Sequence, residues 1–358
     1  MMLVHVVGAR PNFPKLAPVW RAARARGLQQ FVVHTGQHYD DAMSAAMLRD
    51  VEAPEPDVNL GVGSASHALQ TGRIMEGLET LFLTLRPQWI ITYGDVNSTL
   101  AAALVAAKSG LRQAHVEAGV RSGDRSMPEE INRLVTDRLA DLCLAPSRDA
   151  ADTLAREGVA DERIAMVGNV MVDAVVQALP RAVSTGATQR YGESGVHVLV
   201  TLHRPANVDD PTRLRAIIAA LDIVAETHRV VFPVHPRTQA CLESAGITST
   251  RLTFLPPLRY LEVVDLQRTA FAVITDSGGM QVESTALGVP CVTVRTSTEW
   301  GETIHHGTNV LVSEPQHVAA AVESGPMRRR AGRPPSWDGH AAERIVDALM
   351  AKSGGRPR

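Results

Sequence analysis

At 358 residues the chain is long for one hydrophobic core and suits two domains of roughly 150 to 200 residues each. Lys and Arg number 36 against 38 Asp and Glu, a formal net charge of −2, which excludes a global basic field of the kind that draws proteins to nucleic acid or membrane; an anionic ligand would need a local basic pocket. Cys143, Cys241 and Cys291 lie far apart in apolar contexts without zinc or disulfide spacing, and no signal peptide or run of about 18 apolar residues occurs, so a cytoplasmic protein with reduced thiols and no membrane span is expected.

In chain order, the β-branched apolar runs Val4 to Val7, Phe31 to His34, Trp89 to Tyr93, Gln113 to Val116 and Leu142 to Ala145 read as strands. Between them Pro14 to Arg26, His67 to Leu85, Val96 to Ser109 and Pro128 to Ala140 have helical period. The same alternation resumes with strands at His197 to Thr201, Val230 to Val234, Leu252 to Leu255, Ala270 to Thr275 and Cys291 to Val294. This predicts an α/β protein of two doubly wound, Rossmann-like domains facing a cleft. The polar, Gly-containing stretch Val183 to Gly195 reads as a connection or surface excursion, and the boundary is placed earlier, near Gly168, giving domains at 1–168 and 169–337. His340 to Met350 has the spacing of a last helix, so 338–354 is expected to pack back on the first domain.

Ligands of parallel sheets collect beyond the carboxyl ends of the strands, so the polar residues there matter most. Arg10 and Lys15 follow the first strand, where both can meet an anion or simply be solvated cations. Asp95 stands at the next strand tip, as an acid or as a helix N-cap; Glu117 follows the strand after it; and Glu129 follows Pro128 in a first helical turn, where acids also answer the macrodipole. Each carboxylate has a structural use, but Asp95, Glu117 and Glu129 converge on one end of one predicted sheet beside the Arg10 loop. His203 and His235 end two strands of the second half, without a third ligand of metal-binding spacing. Finally, Asp276-Ser277-Gly278-Gly279 links the strand Ala270 to Thr275 to a helix start. Its small residues let a phosphate approach unpaired backbone N–H groups, and Glu283, about one turn on, can accept hydrogen bonds from two ribose hydroxyls. A tight turn that needs small residues would look the same.

Taken together, these residues resemble the non-hydrolysing UDP-N-acetylglucosamine 2-epimerases, which have the glycosyltransferase-B fold. The resemblance spans nearly the whole chain. It is carried by Gly8-Ala9-Arg10-Pro11 with Lys15, Thr35-Gly36-Gln37-His38, Gly94-Asp95, His115-Val116-Glu117-Ala118-Gly119 with Arg121, Pro128-Glu129-Glu130-Ile131-Asn132-Arg133, Gly168-Asn169, His203-Arg204, Pro233-Val234-His235 and Asp276 to Glu283.

The resemblance implies inversion at C2 of a UDP-amino sugar, by elimination of UDP to a glycal and its re-addition, with no redox cofactor and no metal. It places Asp95, Glu117 and Glu129 at the acid/base positions and His203 at the leaving diphosphate. Arg10 and Lys15 fall near the reacting end, His235 in the substrate site, Ser277, Gly278 and Gly279 on the phosphates and Glu283 on the ribose. A homodimer is also expected of the family. One departure bears on the substrate: many members carry Arg-Pro after the Thr-Glu pair, where this chain has Thr298-Glu299-Trp300-Gly301, and relatives acting on diacetamido uronates show a similar Trp. The glutamine-containing segment that serves an activating site in bacterial members is here Tyr39 to Ser44. Transfer to an acceptor, hydrolysis and silent UDP-sugar binding are the other readings of the same nucleotide site.

Overall fold

The computed structural model describes residues 1–37, 41–324 and 333–353, without the side chains of 41–44. His38, Tyr39 and Asp40 of the sequence motifs, and the basic residues 328–330, lie outside the described residues. Two compact units form, Met1–Ala174 with Pro335–Arg358, and Val175–Pro334. The expected division near Gly168 falls shortly before the observed one, which lies inside the helix Val170–Ser184. Gly168 itself serves a close approach. At φ +91° its Cβ position would lie 2.2 Å from the Ser336 carbonyl oxygen, so only glycine lets the returning C-terminal segment pass.

The first unit is built on β1 (Met2–Val7), β2 (Gln29–His34), β3 (Val58–Asn59), β4 (Trp89–Tyr93), β5 (Gln113–Val116), β6 (Leu142–Ala145) and β7 (Ile164–Met166), ordered β3-β2-β1-β4-β5-β6-β7 and parallel throughout. The central strands β1 and β4 are largely apolar without alternation because helices cover both faces. α1 (Phe13–Ala25), α2 (Asp41–Val51), α3 (His67–Leu85), α4 (Asn97–Lys108), α5 (Pro128–Leu139) and α6 (Arg148–Arg156) make the crossovers, and Val4, Val6, Ile74, Leu78, Phe82 and Ile90 share one core. α7 (Val170–Ser184) then leads toward α8 (Ala187–Tyr191).

In the second unit β8 (Val198–Thr201), β9 (Val230–Pro233), β10 (Thr253–Leu255), β11 (Ala272–Thr275), β12 (Cys291–Val294) and β13 (Asn309–Val312) are ordered β10-β9-β8-β11-β12-β13, again parallel. Its helices are α9 (Pro205–Val208), α10 (Pro211–Val224), α11 (Pro236–Ser244), α12 (Tyr260–Thr269), α13 (Gly278–Leu287), α14 (Gly301–His305) and α15 (Val318–Glu323). α16 (Ala341–Lys352) belongs to the first unit and packs on α1. In both sheets the strand order reverses beside the first strand, between β1 and β4 and between β8 and β11. That is where a doubly wound sheet opens a crevice.

Candidate active site

In the first unit the loops after β1, β4 and β5 are tied together. The Gly8 and Ala9 amides donate to Asn12 Oδ1 at 3.0 and 3.1 Å, and Asn12 Nδ2 donates to the Tyr93 carbonyl at 3.0 Å, so the first loop is fixed against the end of β4. Lys15, in the first turn of α1, pairs with Glu117 at 2.7 Å, both side chains nearly buried. Gly94 (φ +65°) lies beside this pair: a Cβ there would stand 2.9 Å from Lys15 Nζ. Glu117 has φ 76°, a left-handed conformation that costs a non-glycine residue about 1–3 kcal/mol and is held only where surroundings enforce it. Its amide is fixed by the Leu144 carbonyl at 3.2 Å.

Asp95 does not cap α4; the cap position is Val96. Its carboxylate instead pairs with Arg133, and its carbonyl accepts from Asn132 Nδ2 at 2.8 Å, so α5 sets its orientation. Glu130 is taken up by structure. It accepts from the Ser122 and Gly123 amides at 2.9 and 3.0 Å and from Arg133 at 2.8 Å, which overcome the effect of burial and hold its carboxyl below the usual range. The neighbouring Glu129 instead lines a cavity of about 260 Å³ with Asp95, Gln37, His67, Gln70 and Asn97. Two of the three expected acids thus share one cavity whose other walls include the amides of Gln37, Gln70, Asn97 and Asn132, and the third is paired with Lys15. Arg10 is half-buried in the short 3₁₀ turn Arg10–Asn12.

In the second unit the turn after β11 is the organising feature. α13 starts at Gly278 with Ser277 in the cap position, unbonded through its side chain, so the first-turn N–H groups have no intrahelical partner. Asp276, fully buried, accepts from the His203 and Arg204 amides at 3.2 and 2.9 Å and from Asn207 Nδ2 at 3.1 Å, with His203 Nδ1 at 3.1 Å. Burial works to raise its carboxyl, but His203 and these donors hold it below the ordinary range. Asp276 thereby sets the β8 loop against the glycine turn. His203 is 42% exposed and its ring centroid lies 5.6 Å from that of His235. His235 also caps α11, its Nδ1 accepting from the Arg237 amide at 3.2 Å. Glu283, one turn into α13, is pushed up to about 7 by burial, against a hydrogen bond from Tyr260.

Sequence reasoning missed Arg295 and the position of Glu299. Arg295 follows β12 directly and pairs with Glu299 at 2.8 Å, while Arg204 approaches the same carboxylate at 3.8 Å. Glu299 Oε1 and Trp300 Nε1 lie over the glycine turn, 2.7 and 3.0 Å from where a Cβ of Gly278 would be. Arg295 carried a signal like that of Arg10, a charge close after an apolar strand. Among the described residues no cluster of three or more His, Cys, Asp or Glu is arranged to hold a metal, and no helix is long and apolar enough to cross a membrane.

The family model for UDP-N-acetylglucosamine 2-epimerase matches residues 21–350. The chain belongs to the UDP-N-acetylglucosamine 2-epimerase family. Among epimerases of this family, the UDP-N-acetylglucosamine 2-epimerase of Methanocaldococcus jannaschii is 37% identical over 361 residues, covering 98% of this chain and 99% of the relative. The UDP-2,3-diacetamido-2,3-dideoxy-D-glucuronate 2-epimerase of Pseudomonas aeruginosa is 41% identical over 317 residues, covering 87% and 88%. The crystal structure of the M. jannaschii epimerase in complex with UDP-GlcNAc and UDP aligns with a TM-score of 0.89 at 36% identity, over 98% of this chain and all of that one. Two Rossmann-like parallel sheets are the domain content of the glycosyltransferase-B-like fold that such epimerases share.

Proposed function

We propose that this epimerase inverts C2 of UDP-N-acetylglucosamine to give UDP-N-acetylmannosamine. The observation that carries the reading is the cavity that Asp95 and Glu129 both line, with Gly94, the residue before Asp95, lying against the nearly buried Lys15–Glu117 pair. A carboxylate takes the C2 proton, the C2–H electrons form the C1=C2 bond, and the C1–O bond breaks with its pair leaving on UDP. In return, an acid delivers a proton to the opposite face of C2 as a UDP oxygen re-forms the bond at C1. Both half-reactions need a general base or acid and an anion clamp. The glycine turn, Arg204 and Arg295 supply donors and charge for the diphosphate, His203 stands at the neighbouring loop, and Glu283 meets the ribose.

Proton NMR in D₂O tests it. Appearance of the manno isomer with deuterium at C2 is the expected result, and UDP binding without exchange would reject this substrate. Trp300 favours a second reading, in which the substrate is a UDP-diacetamido uronate. An indole stands over the phosphate turn where many members carry a cation, and the Pseudomonas relative acts on such a sugar. The same experiment run with that compound separates the two.

A further inference from the structure

We propose that His115 is a positioning residue, a doubly protonated imidazolium that with Asp137 and Arg121 locks the two loops carrying Asp95 and Glu117. It rests on the acid/base assignment of those two carboxylates.

His115 lies on β5, fully buried, with Nδ1 2.6 Å from Asp137 Oδ1 and Nε2 2.8 Å from the Gly94 carbonyl oxygen. A carbonyl has no proton to give. Nor has Asp137, whose other oxygen already accepts from the Gly119 amide at 3.0 Å and from Arg121 at 2.7 Å. Burial alone would raise the Asp137 carboxyl, yet His115 and Arg121 hold it below the usual range. Both ring nitrogens therefore face oxygens that can only accept, and each must carry a proton. A neutral ring would set a nitrogen lone pair against an oxygen lone pair in a dry core, leaving a buried acceptor without a donor.

The charged surroundings are balanced. Asp137 comes from α5, Arg121 from the loop after β5, and Arg121 in turn holds Glu157 beyond α6 at 2.7 Å. Two cations thus face two anions. On the β6 side stands Cys143, a thiol that burial and Asp137 push up and keep neutral; on the β4 side stands Thr92; and beyond Gly94 lies the Lys15–Glu117 pair.

The cluster reaches both acid-bearing loops from beneath. Its Nε2–H fixes the Gly94 carbonyl one residue before Asp95, where the backbone turns left-handed. Its carboxylate fixes the Gly119 amide two residues after Glu117, and Gly119 (φ +82°) has no room for a Cβ, which would sit 2.2 Å from the Ala150 carbonyl oxygen. His115 and Asp137 are buried at 0% and 1% exposure, so they act through the loops and not on the sugar. A shift of about 1 Å in a reacting group can lower turnover about 100-fold.

Nitrogen NMR of full-length protein carrying ¹⁵N-histidine, with His115→Gln used for assignment, reads the ring directly. At neutral pH both His115 nitrogens should carry a proton, and a ring nitrogen without one overturns the proposal. Asp137→Asn keeps the volume and removes the charge: the ring should lose one of its two protons at the same pH and turnover of the UDP-amino sugar should fall about 10- to 100-fold, with KM and UDP affinity unchanged. A folded Asp137→Asn protein with native turnover also overturns it, and if that variant does not fold, the native spectrum decides. Full activity in Asp95→Asn would instead reject the acid/base assignment, and the positioning role with it, while leaving the state of the His115 ring as the spectrum shows it.

Discussion

Asp95 and Glu283 are both carboxylates near strand ends, yet their environments are opposite. Asp95 is a quarter exposed and ion-paired with Arg133. Asp95→Asn keeps the size and loses proton transfer, so C2 exchange should fall by roughly 100-fold or more while UDP affinity stays native; calorimetry and D₂O exchange on the same sample check both halves, and undiminished exchange would remove Asp95 from the reaction. Glu283 is buried and accepts a hydrogen bond from Tyr260, and burial raises its carboxyl to about 7. The folded state therefore holds a proton that the unfolded chain releases near pH 4.5, so stability is highest below about pH 4.5, falls as pH rises to about 7 and is flat above, a loss on the order of 2–4 kcal/mol. Glu283→Gln should abolish that slope in urea midpoints compared at acidic and alkaline pH. If ribose hydroxyls donate to the ionised form, UDP binding near pH 6.5 should also release a proton in native protein and not in Glu283→Gln, as read by calorimetry in buffers of different ionisation enthalpy.

At the scale of single elements, the start of α13, the proposed phosphate turn, is already covered by a carboxylate. Glu299 pairs with Arg295 and lies against Gly278, so a diphosphate on the glycine turn would compete with it for the same cation and the same amides. Glu299→Gln frees Arg295 and should tighten UDP binding about 5- to 10-fold, in keeping with about 1 kcal/mol for a partly buried ion pair; weaker binding would mean that Glu299 holds Arg295 in place for the ligand. Gly94→Ala is the corresponding test at β4. Its φ is left-handed and the new methyl meets Lys15 Nζ, so the Lys15–Glu117 pair should part and turnover fall with modest loss of stability. The strand and helix order was legible because fully buried strands give uninterrupted apolar runs, and the strand-end residues then follow from topology. β3 and β7 were not legible: edge strands of two and three residues, part of whose surface is open, leave no such run. Four-residue β13 was missed for a related reason, since it opens on Asn309, which bonds to Thr293 on β12, and leaves an apolar run of only three residues. Nor does a sequence say which of two adjacent acids is engaged. Glu130 and Glu129 differ in which side of α5 faces the Ser122 loop, and that depends on the phase of the helix against the loop it touches.

For the whole molecule, the chain's return at Pro335 is what completes the first unit. Trp337 is buried and donates to the Pro146 carbonyl at 3.0 Å, Asp173 accepts from the Ala341 and Ala342 amides at 3.2 and 2.8 Å, and Ile345, Val346 and Leu349 are buried without remainder. The sequence showed the helical spacing of this segment; the Asp173 cap, formed between residues far apart in the chain, could not be read from it. Losing three large aliphatic side chains from water-free positions forfeits roughly 5–8 kcal/mol, comparable with the entire stability of an ordinary domain at about 5–15 kcal/mol. Removal of residues 335–358 would also strip Asp173 of its amide donors and bare the face of α1. Hydrogen exchange of such a truncated protein should therefore show β1 and α1 losing protection while β8, β11 and α13, which belong to the other unit, keep theirs along with UDP-dependent protection of α13. Native protection of β1 in the truncated chain would mean that the first unit closes its core without α16.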